Sequence, residues 1–244
     1  MPPNNTIGLP GRFCNHVIRN LYASFVAEAS DLAMTYSYAS EMERLGLSLF
    51  KTGTQTYRQT LIIRDEDFCN HLDKKLEANI FVDWLSAQNH LFSLRLFNYF
   101  RTSAVKESVR NANIYKSRYG CNNDVFVHIR LDDAAVWNPG YAYYDAALRR
   151  CGAKSGYISS DSPDHPFVTG LAAKYGLTIV KKDEVETIML AATCKSLVLS
   201  HGTFSWLMGA LAYDAHVFIP PKKYATWCGD IFNMPGWEII SPPE

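Results

Sequence analysis

The sequence predicts an α/β fold with two lobes, a smaller irregular N-terminal lobe and a doubly wound, parallel-sheet C-terminal lobe. Apolar strand segments alternate regularly with helical patterns in the second half of the chain, which is typical of a parallel sheet covered on both faces. The first half is less regular. We therefore predict lobes at residues 1–116 and 117–244, divided where the alternation begins.

In the first lobe, a glycine-bearing loop over residues 8–12 precedes apolar residues at helical spacing. The loop is a candidate anion cradle or a simple turn into the helix. Predicted helices are Phe13 to Ala29 and Asn89 to Arg110, and predicted strands are Leu32 to Tyr36, Gln59 to Ile63 and Phe81 to Trp84.

The second lobe repeats a strand followed by a helix. Predicted strands are Val125 to Ile129, Gly156 to Ser159, Leu177 to Val180, Ser196 to Ser200 and His216 to Ile219. Predicted helices are Tyr141 to Arg150, Pro166 to Lys174, Val185 to Ala192 and Ser205 to Tyr213.

Composition excludes several function classes. Lys plus Arg equals Asp plus Glu at 24 each, so no excess positive charge is present to bind nucleic acid or an anionic membrane. Apolar runs are far shorter than a bilayer span, and the N-terminus lacks a signal-peptide pattern. We expect a cytoplasmic protein, or a lumenal one only if the sequence is a truncated piece.

The first polar cluster follows the strand that ends at Ile129. It contains His128, Arg130, Asp132 and Asp133, at the edge where ligands bind in α/β sheets. The planar, permanently charged fork of an arginine suits a diphosphate. A simple ion pair between Arg130 and Asp133 is the alternative.

Two further strand ends carry polar side chains. Ser160 and Asp161 precede a helix, where they cap it or accept hydrogen bonds from a ribose or base. Gly202 and Thr203 precede another helix that begins at Ser205. Its free backbone N–H groups, together with the Thr203 and Ser205 hydroxyls, would form a phosphate seat.

Other chemistries fit the sequence less well. His128, Asp133 and Ser205 could form a hydrolase triad, but no Gly-x-Ser-x-Gly elbow is present. The six cysteines are scattered without a Cys-x-x-Cys pair, and no Walker loop occurs. We expect no metal ion and no cofactor.

The clusters together resemble the α1,2-fucosyltransferases, a family related to the α1,6- and O-fucosyltransferases. Similar segments occur in family order over nearly the whole chain. They are Gly11 to His16 (Gly-x-x-x-Asn-Gln), Phe81 to Gln88, Val127 to Asp133 (His-x-Arg-x-Gly-Asp), Tyr143 to Ala147 (Tyr-Tyr-x-x-Ala), Ile158 to Ser162, Cys194 to Ser196 and Ser200 to Trp206.

The resemblance implies a GT-B-like fold with two Rossmann-like lobes, a GDP-sugar co-substrate bound mainly by the second lobe, inversion at the anomeric carbon and no obligatory metal. By motif position, Arg130 would hold the diphosphate, Asp161 the guanosine and Asn15 the sugar or β-phosphate region. The other expected donor-binding residues are Gly11, Arg12, His128, Ser160, Gly202, Thr203, Phe204 and Ser205.

This chain departs from the family pattern at three positions near the expected sugar end of the pocket. Asp132 replaces a glycine, His16 a glutamine and Leu207 a tryptophan. The leading hypothesis is an inverting fucosyltransferase that moves fucose from GDP-fucose to an oligosaccharide or glycoprotein glycan, with Arg130 and either Asp132 or Asp133 as catalytic residues. The alternatives are another nucleotide sugar on the same fold, or a catalytically silent glycan- or nucleotide-binding module.

Overall fold

The computed structural model describes residues 4–6, 11–82, 87–133, 135–152, 154–222 and 231–241. These residues form two parallel sheets, one in each half of the chain. The predicted fold class, α/β with two lobes and a doubly wound second lobe, is confirmed.

The first lobe is built on a small four-stranded sheet with the order β2-β1-β4-β3, all parallel. Its strands are β1 (Asn5–Thr6), β2 (Thr35–Tyr36), β3 (Thr60–Ile63) and β4 (Asn79–Val82). Its helices are α1 (Phe13–Ser30), α2 (Ala39–Arg44), α3 (His90–Phe100) and α4 (Ser103–Ala112). The long helix α1 is mostly buried, because it lies between this lobe and the next.

The second lobe is a six-stranded parallel sheet with the order β10-β9-β8-β5-β6-β7. Its strands are β5 (Val125–Ile129), β6 (Gly156–Ser160), β7 (Leu177–Ile179), β8 (Ser196–Val198), β9 (His216–Ile219) and β10 (Glu238–Ile239). Its helices are α5 (Tyr141–Arg150), α6 (Pro166–Tyr175), α7 (Glu184–Ala192) and α8 (Thr203–Leu211). The chain proceeds outward from β5 to β7 and then restarts at β8 on the other side of β5. The carboxyl ends of β5 and β8 therefore form the topological switch point where such sheets bind ligands.

Most predicted elements are confirmed, and β5 and α5 have the predicted bounds. The strand predicted at Leu32 to Tyr36 is shorter and covers only Thr35–Tyr36. Strand β4 begins two residues before the strand predicted at Phe81 to Trp84, and the last two residues of that prediction lie outside the described residues. Sequence patterns did not predict β1, α2 or β10, since two-residue strands and a six-residue helix contain too few residues for a periodicity.

The prediction of a single helix from Asn89 to Arg110 is wrong, because the helix is interrupted between α3 and α4. The guanidinium of Arg101 donates hydrogen bonds to the carbonyls of Phe97 and Ala210, and the Thr102 hydroxyl donates to the carbonyl of Tyr99. Thr102 itself is extended, with ψ at 144°. These contacts satisfy the last carbonyls of α3, so a new helix begins after them.

The apolar core is continuous across the two lobes. Helix α8 contacts both α1 and α3, and the ring of Trp206 lies 6.2 Å from that of Phe100. A buried hydrogen bond from the Asn113 amide to the carbonyl of Met189 joins α4 to α7. The opposite face of the second sheet has its own core, formed with α5 and α6.

Candidate active site

A cleft of about 770 Å³ lies between the lobes at the carboxyl ends of β5, β6 and β8. Its size falls in the usual range for small-molecule sites, about 300–1,000 Å³. The lining residues come from both lobes and are Gly11, Arg12, Cys14, Asn15, Gln88, His128, Arg130, Asp133, Trp137, Ser159, Ser160, Asp161, Lys182, Glu184, Thr187, Gly202, Thr203 and Phe204.

Arg130 follows β5 directly and lies at the centre of this cleft. Its Nε and Nη2 atoms donate to one oxygen of Asp133 at 3.2 and 3.0 Å, and its guanidinium carbon lies 5.9 Å from the ring centroid of Trp137. The Asn138 amide donates to the Arg130 carbonyl at 2.9 Å. The side chain is 21% exposed. Arg130 is thus oriented by its neighbours while part of its fork stays accessible to a ligand.

The N-terminus of α8 lies against Arg130, and Gly202 makes this approach possible. A Cβ atom at position 202 would lie 2.6 Å from Nη1 of Arg130, and the backbone has φ +117° and ψ 160°, a region essentially restricted to glycine. Within the part of the chain that the structure describes, no side chain caps the first amides of α8. Backbone N–H groups, the positive end of a helix dipole and a guanidinium therefore converge at the switch point, which is an arrangement suited to phosphate oxygens.

His128 does not act as a positive charge in the cleft. Its Nδ1 atom is 2.6 Å from the hydroxyl oxygen of Ser205, and its ring lies 5.1 Å from that of Phe204. The pKa of His128 is lowered from 6.5 to about 4, mainly by burial, with smaller effects of Asp161, which raises it, and of Arg130 and Arg12, which lower it. The ring is therefore neutral at pH 7 and supplies no positive charge to a diphosphate.

Asp161, at the end of β6, is partly committed to the fold. Its Oδ1 atom accepts hydrogen bonds from the Leu131 N–H at 2.8 Å and from the Ser160 hydroxyl at 3.3 Å. Its Oδ2 atom lies 3.5 Å from Nη1 of Arg12. One oxygen thus fixes the segment that follows Arg130, and the other faces a cation of the opposite lobe.

Arg12 reaches from the start of α1 to three carboxylates of the second lobe. Its Nη2 atom lies 3.5 Å from Asp132 and 3.3 Å from Asp133, and its Nη1 atom contacts Asp161. The side chains of Arg12, Asp132 and Asp133 are each more than half exposed, so each of these pairs contributes little to stability. They place a second guanidinium beside Arg130.

A second link between the lobes involves Asn15. Its Oδ1 atom accepts hydrogen bonds from the Thr203 hydroxyl at 2.8 Å and from the Gln88 amide at 3.4 Å. Behind it, the Nε2–H of His16 donates to the Gly11 carbonyl at 3.1 Å, and the Ser37 hydroxyl is 2.8 Å from its Nδ1 atom. Burial lowers the pKa of His16, which keeps the ring neutral in this role.

The structure brings the predicted site residues to the cleft except Ser205 and Asp132, and the two other departures from the family pattern, His16 and Leu207, also lie outside its lining. Ser205 is fully buried and bonds to His128. His16 and Leu207 are buried outside the lining, so they do not form a sugar end of the cleft. Asp132 does not line the cleft, and in the described part of the chain its side chain is linked to the site through Arg12. The first part of the glycine loop, residues 8–10, lies outside the described residues.

Besides Ser159 in β6, sequence reasoning did not assign a site role to six lining residues. Lys182, Glu184 and Thr187 follow β7 and begin α7, so the strand-end rule that found Arg130 could have indicated them. The others are Cys14, Gln88 and Trp137. Trp137 lies in a short turn after β5, and no local pattern signals its contact with Arg130.

The described residues contain neither a cluster of metal-ligating side chains nor a helix that could span a membrane. No three His, Cys, Asp or Glu side chains cluster there in a way that could hold a metal ion. Asp65 and Asp67 have an Asp-x-Asp spacing, but they do not line the cleft and accept hydrogen bonds from the N–H groups of Ala87 and Arg64. None of the described helices combines the length and apolar character that a membrane crossing requires.

No protein-family model and no curated protein matches the sequence. Among solved structures, the chain is similar to the crystal structure of POFUT1 in complex with GDP, at 12% identity, covering 88% of this chain and 97% of that chain. The TM-score is 0.39. At that score, no residue role and no activity is carried over from POFUT1.

Proposed function

We propose that this protein is an inverting glycosyltransferase that moves fucose from GDP-fucose to a hydroxyl of an oligosaccharide or glycoprotein glycan. The observation that carries the proposal is the convergence of Arg130 and the uncapped N-terminus of α8 at the switch point of the second sheet. The motif resemblance described above favours a GDP-sugar over other ligands with a diphosphate.

In this proposal, the diphosphate lies against α8 with one or more oxygens on the fork of Arg130. The acceptor hydroxyl oxygen attacks the anomeric carbon from the opposite side, the bond from that carbon to the diphosphate breaks, and GDP leaves with the bonding electrons. Negative charge grows on the leaving oxygen as the bond breaks. Preorganised donors at that oxygen, Arg130 and the amides of α8, stabilise the transition state more than the bound donor.

Arg12 supplies a second guanidinium from the first lobe, and Asp161 and Ser160 lie farther along the sheet, where the nucleoside would bind. With two arginines and a helix dipole for charge balance, we propose that donor binding needs no metal ion and no cofactor. The first lobe, residues 1–116, would then present the acceptor, and the second, residues 117–244, the donor.

Asp133 is the better placed of the two candidate bases. It lines the cleft and contacts Arg130, whereas Asp132 does not line it. In the proposed step, Asp133 takes the proton of the acceptor hydroxyl as the new glycosidic bond forms. A very good leaving group lowers the need for such assistance, so the loss of the base costs less than the loss of Arg130.

The test combines ligand binding with transfer. Thermal shift against GDP, UDP and dTDP and their sugars, with and without EDTA, should show stabilisation by guanosine ligands that EDTA leaves unchanged. Fucose transfer from GDP-fucose to a mixed glycan panel should then be measured for wild type, Arg130→Lys and Arg130→Ala. We expect both variants to lose at least about a hundredfold in turnover, because lysine keeps the charge but loses the fork.

Arg150→Lys is the matched control. Arg150 is an exposed arginine that pairs with Glu238 and does not line the cleft, and its replacement should leave transfer unchanged. Near-normal transfer by Arg130→Ala would contradict the proposal. Loss of folding in both Arg130 variants would instead indicate a structural ion pair with Asp133, and stabilisation only by UDP or dTDP ligands would identify a different donor.

A further inference from the structure

Asp132 adds a negative charge to a cleft whose lining charges otherwise balance. The lining contains the cations Arg12, Arg130 and Lys182 and the carboxylates of Asp133, Asp161 and Glu184, while buried His128 is neutral. Asp132 does not line the cleft, but its Oδ2 atom lies 3.5 Å from Nη2 of Arg12. Among the described residues, the site around the arginines is therefore left with a net negative charge.

The guanidinium nitrogens that contact the carboxylates are the same atoms that would bind the proposed phosphates. Nη2 of Arg12 is shared between Asp132 and Asp133, and Nη2 of Arg130 is held by Asp133. A diphosphate that binds these arginines must compete with both carboxylates. Because Asp132 is 68% exposed, it can move aside without a folding cost, but its charge stays near the ligand.

Donor and product differ in charge at this place. In a nucleoside diphosphate-sugar, both phosphates are esterified and the diphosphate carries two negative charges. The free nucleoside diphosphate has a terminal phosphate whose second ionisation lies near pH 6, so it carries about one charge more at pH 7.5. An additional carboxylate nearby repels the product more than the donor.

We propose that Asp132 determines the specificity of the cleft for the donor over the product. Its charge weakens the binding of the free nucleoside diphosphate relative to the nucleotide sugar, and so favours product release. The inference rests on the proposed function, because it needs a diphosphate donor in this cleft. It concerns a residue that the sequence resemblance identifies as a departure, since the related motif has glycine at this position.

The experiment measures dissociation constants by calorimetry for GDP and for GDP-fucose without acceptor, at pH 7.5 and low salt, in wild type and Asp132→Asn. We expect Asp132→Asn to tighten GDP by about threefold to tenfold and GDP-fucose by about twofold to fivefold, because the repulsion scales with about three ligand charges against two. Product inhibition by GDP should strengthen in the same proportion.

Glu184→Gln is the matched control, since Glu184 lines the same cleft and no ion pair joins it to either arginine among the described contacts. It removes the same charge and should leave the ratio of the two constants nearly unchanged. The proposal is overturned if Asp132→Asn leaves this ratio unchanged. It is also overturned if Glu184→Gln changes the ratio equally, because general repulsion by carboxylates of the cleft would then explain the result.

A pair of simple probes separates failure of this inference from failure of the proposed donor. Methyl diphosphate keeps the ionisable terminal phosphate, whereas P1,P2-dimethyl diphosphate has the charge of the donor. If neither guanosine ligand binds but Asp132→Asn tightens methyl diphosphate more than P1,P2-dimethyl diphosphate, the donor is wrong and the specificity role stands. If Asp132→Asn leaves both probes unchanged as well, the specificity role is overturned too.

Discussion

Replacing Gly202 by alanine tests whether the position of Arg130 against α8 matters for ligand binding. The new Cβ atom would lie 2.6 Å from Nη1 of Arg130, whereas ordinary contacts begin near 3.4 Å. The guanidinium must therefore move by about 0.8 Å. The backbone at φ +117° and ψ 160° is also unfavourable for alanine, at a cost of about 1–3 kcal/mol in folding free energy.

We expect Gly202→Ala to lower the free energy of unfolding by about 1–3 kcal/mol and to weaken GDP binding by about tenfold to a hundredfold. The second effect follows because one hydrogen bond to a charged group is worth about 1.5–3 kcal/mol when its geometry is lost. Urea denaturation measures the first quantity, and calorimetry on the folded protein measures the second.

Gly176→Ala separates backbone strain from the effect on Arg130. Gly176 also has a positive φ, +62°, but the nearest atom to a Cβ there is the Lys154 carbonyl oxygen at 3.9 Å. This variant should lose stability and bind GDP like wild type. A Gly202→Ala protein that is folded and binds GDP as tightly as Gly176→Ala would refute the reasoning, since the displaced fork would then have no role.

Two further predictions concern side chains that line the cleft, Asp161 and His128. Asp161→Ala should weaken GDP binding by about 1–3 kcal/mol in calorimetry. Asp161→Asn keeps an acceptor for the Leu131 N–H and should preserve more of the free energy of unfolding. Equal GDP affinity in wild type and both variants would identify a purely structural residue. For His128, burial lowers the pKa to about 4 from 6.5, so the unfolded chain takes up the proton first as the pH falls. Its stability contribution should be complete above pH 6.5 and decline by up to about 3 kcal/mol as the pH falls toward 4, and urea midpoints from pH 7 to 4 should fall less steeply in His128→Asn than in wild type; parallel curves would contradict this.

The regular second lobe could be predicted from the sequence because its elements have a strong local signal. The apolar run that ends at Ile129 fixes β5, and chain order alone then places Arg130 and the loop before α8 at strand carboxyl ends. Local patterns also predicted α1 within one residue at its end. These signals arise from residues close in sequence, which is why they are readable without the structure.

The contacts that join the lobes could not be predicted in this way. Arg12 and Asp132 are 120 positions apart, and no periodicity indicates that they meet. The orientation of Ser205 depends on how α8 is rotated against β5. The sequence analysis predicted that its hydroxyl faces the ligand, whereas in the structure it faces His128. The break after α3 depends on a carbonyl of α8, again a partner distant in sequence.

The continuous core between α1, α3 and α8 limits how this fold could be re-engineered from its two halves. Trp206 is completely buried, in part by Phe100 of the other half. A chimera that joins residues 1–116 of this chain to the second half of a relative would need matching side chains along this whole seam, not only a compatible linker. Changes of ligand preference are therefore better sought by substitutions at the cleft than by exchanging halves.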